Sequence, residues 1–322
     1  MDKLSRRRFL ASGLGTVGAV AAGFLLFDQA WPLLAREDLI PGKPSEATLT
    51  PNAWSETPDH LVFAALGDNG TGGRQAVAVA DQMAETYALR PYGLVCLLGD
   101  ISYYGSIQDR FHDVFEEPFE PLIEAGVRFE LSIGNHDGTR YPASGSVAEV
   151  DQVLALLGTP GRYYTTSHGP VDFFYLDSNE PGRCDGGSAE QLDWFEEALG
   201  TSTNEWKIVG IHHPPYSAAR YGTTPGEAET LAPILSRHAV DLVMSGHDHH
   251  YERTVPIDGT TYVVSGGGSK TTPVKPSEFT AVAESTLEFM HFTVDGDQLT
   301  GEAIRPDGGL VDRFELTARQ GR

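Results

Sequence analysis

The sequence predicts a mixed α/β sandwich, built as one domain over residues 60–318. Three observations carry this expectation. Short apolar runs alternate with stretches of helical period between residues 61 and 244; later runs follow one another through tight turns with no helix between them; and five of the early runs end directly in polar clusters.

The early runs are Leu61 to Leu66, Leu94 to Leu98, Val127 to Ile133, Val171 to Leu176, Trp206 to Ile211 and Val240 to Met244. Each is strand length and apolar almost throughout, as expected of strands covered on both faces. Between them Arg74 to Tyr87, Phe111 to Ile123, Val147 to Leu157, Ser188 to Leu199 and Glu227 to Arg237 repeat their apolar residues every three to four positions and predict helices. Thr260 to Val264, Leu287 to Val294, Gly301 to Ile304 and Val311 to Leu316 predict antiparallel strands, with Asp295-Gly296 as one of the turns.

Ahead of the domain, residues 36–59 are polar and interrupted by Pro41, Pro44, Pro51 and Pro58, the composition of a linker. Residues 1–35 read as an address. Ser5-Arg6-Arg7-Arg8-Phe9-Leu10 resembles the twin-arginine export motif and precedes a Gly/Ala-rich apolar stretch reaching Phe27. The expectation is passage across the cytoplasmic membrane through the twin-arginine machinery, to a periplasmic, secreted or outward-anchored location; a plain membrane anchor is the alternative. Gly13-Leu14-Gly15-Thr16-Val17-Gly18 matches the dinucleotide fingerprint in form only, because no strand precedes it.

The chain carries 45 acidic and 23 basic residues, a formal charge of −22, and only five of the basic residues are Lys. Such a field repels nucleic acid and anionic lipid, which removes both as general partners. It fits either adaptation to high salt or a merely acidic soluble protein. Two cysteines build neither a disulfide framework nor a thiolate zinc site. Cys96, inside an apolar run, reads as a buried thiol; Cys184, in a Gly-rich loop, is free or bridged.

The chemistry lies at the strand ends. Leu61 to Leu66 leads into Gly67-Asp68-Asn69-Gly70, Leu94 to Leu98 into Gly99-Asp100-Ile101-Ser102-Tyr103, and Val127 to Ile133 into Gly134-Asn135-His136-Asp137. Trp206 to Ile211 leads into His212-His213, and Val240 to Met244 into Ser245-Gly246-His247-Asp248-His249-His250. Ligands bind at the carboxyl ends of strands in α/β sheets, so these clusters converge on one site. One Gly-Asp after a strand is usually a turn, and one His-x-His is often polar filler. Five clusters of metal-ligand type in succession are not explained that way.

These residues resemble the calcineurin-like metallophosphoesterases and, more narrowly, the purple acid phosphatases. The motifs are Asp68-Asn69-Gly70, Gly99 to Tyr103, Gly134 to Asp137, Val209 to His212 and Gly246 to His249. Most of the wider superfamily has His two residues after the first Asp, where this chain has Gly70; Tyr103 is what the purple subgroup uses in its place. The resemblance implies a four-layer αββα sandwich and a phosphoric ester hydrolase of the acid phosphatase type. It assigns Asp68, Tyr103 and His249 to a first metal, Asn135, His212 and His247 to a second, and Asp100 to the bridge. An extended segment carrying His247 and His249 at i and i+2 turns both to one side. Hard anionic oxygens in the first set suit Fe3+, and an amide with two imidazoles in the second suits Fe2+, Zn2+ or Mn2+.

The implied reaction is hydrolysis of a small phosphate monoester by a hydroxide held at the metal pair. His136 is implied as donor to the phosphoryl group or leaving alkoxide, and Asn135 as a further contact to substrate. Asp137 reads as the orienter of His136 or as a turn cap. His213, His250 and Arg253 read as supports of the ligands or as structural residues. Where the family places another substrate-binding His, nine residues after His212, this chain has Tyr221, preceded by Arg220. That departure keeps phosphodiesterase or nucleotidase chemistry as the alternative. A metal- or phosphate-binding exported protein without turnover is the reading from another class.

Overall fold

The computed structural model describes residues 49–104, 106–137, 147–179, 189–219, 222–223 and 225–319. Residues 1–48, with the Arg6-Arg7 pair, the apolar stretch and the first part of the Pro-rich segment, lie outside the described residues, as do Cys184, Arg220 and Tyr221.

The first half of the fold is a set of parallel strands with crossover helices: β1 (His60–Leu66), α1 (Arg74–Leu89), β2 (Leu94–Leu97), α2 (Ile107–Phe111), α3 (Glu117–Glu124), β3 (Arg128–Leu131) and α4 (Val147–Leu157). Between α2 and α3 the turn His112–Glu116 is π-helical. One helix was expected here, but Pro118 and Pro121 lack the N–H that a continuous α ladder needs. The second half contains β4 (Tyr164–His168), β5 (Val171–Leu176), α5 (Ala189–Thr201), β6 (Trp206–Ile211), α6 (Pro225–Arg237), β7 (Leu242–Ser245), β8 (Tyr251–Thr254), β9 (Thr261–Ser265) and β10 (Thr280–Glu284). The meander β11 (Phe289–Asp295), β12 (Gln298–Ile304) and β13 (Leu310–Thr317) follows.

Two sheets form, ordered β13-β12-β11-β1-β2-β3 and β10-β8-β9-β7-β6-β5-β4. The pattern of β1 explains why they stack. Leu61, Phe63 and Ala65 point into the layer between the sheets, with Phe173 and Trp206 of the second sheet and Phe292 of the first. Ala64 and Leu66 point the other way, against Val79, Met83 and Tyr87 of α1. Period-2 alternation with both faces apolar produces the continuous run seen in the sequence. The outer face of the second sheet is covered by Phe195 and Leu199 of α5 and Leu231 and Leu235 of α6. Four layers result, helix, sheet, sheet, helix, as the resemblance implies.

The strands that reading the sequence misses are β4, β8 and β10. Their sequences, Tyr-Thr-Thr-Ser-His, Tyr-Glu-Arg-Thr and Thr-Ala-Val-Ala-Glu, are short and polar, and β4 and β10 close the two edges of the second sheet. Edge strands with polar side chains resist pairing with other chains and so lack the apolar signal. Residues 49–59, at the end of the Pro-rich stretch, lie against the domain. Asn52 N–H donates to the Ala125 carbonyl, the Tyr87 hydroxyl donates to the Thr50 carbonyl, and Glu56 pairs with Arg128.

Candidate metal centre

The carboxyl ends of β1, β2 and β3 in one sheet meet those of β6 and β7 in the other, and the five clusters come together there. Asp68, Asp100, Asn135, His212 and His249 are all buried. Close approach of backbones makes this convergence possible. A Cβ on Gly134 would lie 2.1 Å from the Asp100 nitrogen. Three candidate ligands adopt left-handed backbone themselves: Asp68 at φ 62°, Asp100 at 57° and His247 at 67°. Strain of this kind costs about 1–3 kcal/mol per residue and persists where surrounding structure enforces it.

The donor atoms fall into two triads. In the first, the Tyr103 hydroxyl donates to Asp68 Oδ1 at 2.5 Å, His249 Nε2 lies 3.3 Å from the same oxygen, and the hydroxyl is 3.4 Å from His249 Nε2. In the second, Asn135 Oδ1 is 3.1 Å from His212 Nε2 and 2.9 Å from His247 Nδ1, and the two ring nitrogens are 3.3 Å apart. Asp100 stands between: its Oδ1 is 3.5 Å from His212 Nε2, and its charge also acts on the Tyr103 phenol. Donor atoms about 3 Å apart are spaced as neighbours around an ion bonded at about 2.1 Å. The residues therefore fit a pair of metal ions.

Hydrogen bonds behind the donors aim them. His212 Nδ1 donates to the Leu98 carbonyl at 2.8 Å, which leaves the Nε2 lone pair facing Asn135 and Asp100. His247 is turned by its own backbone, not by extension. Its left-handed φ and the bonds from Asp248 N–H to the Gly246 carbonyl and from His250 N–H to the Asp248 carbonyl make consecutive bends. The expected extended segment is thus corrected: the two histidines reach different triads because the chain turns sharply between them.

Gly70 and Tyr103 are linked through backbone. Tyr103 N–H donates to the Gly70 carbonyl and Gly70 N–H to the Asp100 carbonyl, both at 3.1 Å. A Cβ at Gly70 would sit 2.3 Å from the Ile101 carbonyl carbon and from the Ser102 nitrogen. The segment that brings Tyr103 into the first triad occupies the space a side chain at position 70 would need.

Asp137, read as a partner of His136, has both oxygens committed to the Asp100 segment. It accepts from Asp100 N–H and Gly134 N–H at one oxygen, and from Ile101 N–H and Ser102 N–H at the other, at 2.8–3.3 Å. This is the geometry of a turn-organising carboxylate that holds the backbone presenting Asp100. His136 stays beside the centre, its ring 4.6 Å from that of Tyr103 and its backbone N–H donating to Asp100 Oδ1 at 2.8 Å. His213 packs its ring 4.3 Å from His247, with Nδ1 2.7 Å from Ser178 Oγ. His250 Nε2 lies 3.2 Å from Glu252. Arg253 belongs elsewhere: it pairs with Asp312 of β13 at 2.6 Å and covers the Phe314 ring, tying one sheet to the other.

Electrostatics without the ions follow from burial. Burial pushes the Asp68 carboxyl up to about 7, with the Asp100 charge adding to it. Burial acts the same way on Asp100, but the neighbouring His212 and His136 outweigh it and hold that carboxyl at about 2. The Tyr103 phenol is driven well above its ordinary value by burial and by both carboxylates. A bound cation reverses this logic and favours the ionised ligand forms.

One neighbour went unread in the sequence. Lys270, buried at 3% exposure, places Nζ 3.3 Å from the centroid of the Tyr103 ring. A lysine five residues past β9 carries no motif, and only the path of the chain brings it here.

The comparisons agree with this architecture. Residues 61–251 match the model of the calcineurin-like phosphoesterase family. The chain is 25% identical to human tartrate-resistant acid phosphatase type 5 over 280 residues, which is 78% of this chain and 85% of that one. It is 26% identical to purple acid phosphatase 7 of Arabidopsis thaliana over 287 residues, 74% of this chain and 84% of that one. Among solved structures, purple acid phosphatase PPD1 from yellow lupin (Lupinus luteus) seeds superposes with a TM-score of 0.67 at 23% identity, covering 86% of this chain and 55% of that one. The chain belongs to the calcineurin-like phosphoesterase family, and within it is a homologue of the tartrate-resistant and purple acid phosphatases.

Proposed function

We propose that the protein is an exported phosphatase that hydrolyses small phosphate monoesters at two metal ions. Asp68, Tyr103 and His249 would hold one ion and Asn135, His212 and His247 the other, with Asp100 standing between them. The observation that carries this reading is the pair of donor triads flanking Asp100, with edges of 2.5–3.4 Å. The acid phosphatase activity in the names of the relatives supports a monoester substrate.

Bound at these donors, the two ions supply activation of water near neutral pH and neutralisation of phosphoryl charge. Anionic oxygens at the first triad favour Fe3+, and the neutral oxygen and imidazoles of the second favour Fe2+, Zn2+ or Mn2+. The protein residues do the rest. Asp137 fixes the segment that presents Asp100, His212 is held in one tautomer by Leu98, and His136 gives its proton to the departing alkoxide. The family pattern assigns contact with the phosphate to the positions of Arg220 and Tyr221.

A diester reading of the same centre is favoured by one observation, Tyr221 where the family has His, since a phenol is a poor proton donor near neutral pH. Steady-state assays on p-nitrophenyl phosphate and bis(p-nitrophenyl) phosphate decide. The monoester is expected to have the higher kcat/KM; preference for the diester replaces the monoester reading. Asp100→Ala removes turnover of both esters, by about 10³-fold or more, and full activity in that variant ends the two-metal reading. His136→Ala keeps both ions, counted by elemental analysis, and loses about 10²–10⁴ in kcat.

Export rests on the Arg6-Arg7 pair ahead of the apolar stretch. Lys at both positions is expected to leave active enzyme in the cytoplasm; continued appearance of the variant outside would identify an ordinary signal or an anchor. Among the described residues no helix is long and apolar enough to cross a membrane.

A further inference from the structure

We propose that Lys270 selects the charge of the ion at the first triad, acting as a fixed cation that disfavours trivalent against divalent metals. This rests on the reading above that Asp68, Tyr103 and His249 hold an ion.

The backbone that carries Lys270 is tied to the triad. On one side of it Gly268 N–H donates to the Gly67 carbonyl at 3.1 Å, and the Ser269 hydroxyl donates to the Asp68 carbonyl. On the other side Thr272 N–H donates to the His249 carbonyl at 2.7 Å. The segment is thus fastened to the backbones of two of the three triad residues. Its approach is so close that a Cβ on Gly268 would lie 2.2 Å from the Gly67 oxygen. The ammonium sits against the ring of the third triad residue, Tyr103. Its charge acts on Asp68, Asp100 and His249 together.

Lys207 shows what a purely structural buried lysine looks like in the same molecule. Its Nζ donates to the carbonyls of Leu199 and His238, at the C-terminal ends of α5 and α6, where backbone dipoles favour a cation. Lys270 has a different setting. It lies over the aromatic face of Tyr103, and its charge acts on the Asp68 and Asp100 carboxylates. An ammonium held there repels any cation at the triad, and the repulsion scales with the charge of that cation. A trivalent ion is penalised half as much again as a divalent one in the same place. Where both ions draw Asp68 and Tyr103 into the ionised form, that cost is common to the two and drops out of the comparison. Lys270 therefore opposes the preference for Fe3+ that the anionic oxygens create, and the ion held reflects the balance of the two.

The test counts ions and needs no turnover. Metal-free protein, Lys270→Met and Lys270→Gln are equilibrated with mixtures of Ga3+ and Zn2+ buffered by nitrilotriacetate, and the retained ions are measured by elemental mass spectrometry. Ga3+ is redox-inert, so the result does not depend on iron or colour. Both variants are expected to raise the retained Ga:Zn ratio over the parent, by about tenfold. A packing role for Lys270 would lower the retention of both ions and leave the ratio where it was. An unchanged or lowered ratio in the two variants overturns the charge-selecting role and leaves the metal centre standing. A parent protein that retains neither ion overturns the metal centre, and the role of Lys270 with it.

Discussion

Tyr103, proposed above as an anionic ligand, is a residue that burial alone would keep neutral. Its hydroxyl donates to Asp68, and its phenol is held well above the ordinary range by burial and two carboxylates, so only a bound cation can draw it into the ionised form. Tyr103→Phe keeps the ring against His136 and Lys270 and removes one oxygen. The iron-loaded parent is expected to show a phenolate-to-iron band in the visible spectrum and the variant to be colourless; an unchanged band in the variant would make Tyr103 a packing residue. Glu288 gives a pH prediction. It is buried, accepts from Ser265 Oγ and Gly267 N–H, and burial pushes it up to about 8 from 4.5. The folded metal-free protein therefore keeps a proton that the unfolded chain releases. Stability from this group is complete below pH 4.5 and is lost as pH rises through about 8. Glu288→Gln should flatten that decline in urea titrations of metal-free protein, by roughly 4 kcal/mol at pH 8. A pH dependence identical to the parent's counts against a protonated Glu288. Residues such as Asp68 and His247 were legible in the sequence because metal-binding side chains stand beside glycine at strand ends. Lys270, Asp137's true partners and Glu288 were not, because their roles come from contacts between segments far apart in the chain.

The elements that carry the centre are short strands whose ends matter more than their lengths. β2, Leu-Val-Cys-Leu, is four residues long, yet Gly99, Asp100 and Tyr103 follow within six residues and place a carboxylate and a phenol at the candidate centre. Strands buried on both faces announced themselves as apolar runs, and the boundaries read for β5 and β6 coincide with those observed. The polar edges β4 and β10 carried no such signal, and the π-helical turn required knowing how Pro118 and Pro121 disrupt the ladder. The segment after β2 also sets a limit on substitution. Gly70→Ala places a methyl 2.3 Å from the Ile101 carbonyl carbon, a backbone atom that cannot rotate aside. The expected outcome is a loss of about 2–4 kcal/mol in stability together with loss of metal from the first triad. A Gly70→Ala protein with parental melting temperature and metal content would show that the Tyr103 segment can shift. The His that wider relatives carry at this place cannot be restored here while Tyr103 keeps its position.

On the scale of the whole molecule, each triad draws on both sheets: Asp68 and Tyr103 with His249, and Asn135 with His212 and His247. Metal ions bound there cross-link the two halves of the sandwich. Removing them with a chelator is expected to lower the melting temperature by several degrees, about 2.7 kcal/mol being at stake for each site at a hundredfold excess of ion over Kd. A chelated protein that melts with the parent would mean that the donors are not joined through ions. β1, the first strand of the domain, lies between β2 and β11, pairing with Leu94 to Leu97 on one side and with residues 290–295 on the other. During synthesis, β1 therefore leaves the ribosome more than two hundred residues before its second neighbour and waits with one edge open. A chain stopped short of β11 presents that edge, Leu-Val-Phe-Ala-Ala-Leu, to any other strand it meets. The cell handling this polypeptide has a reason to shield its early segments until the last meander arrives, and a ribosome stalled before residue 289 would release a product prone to aggregate.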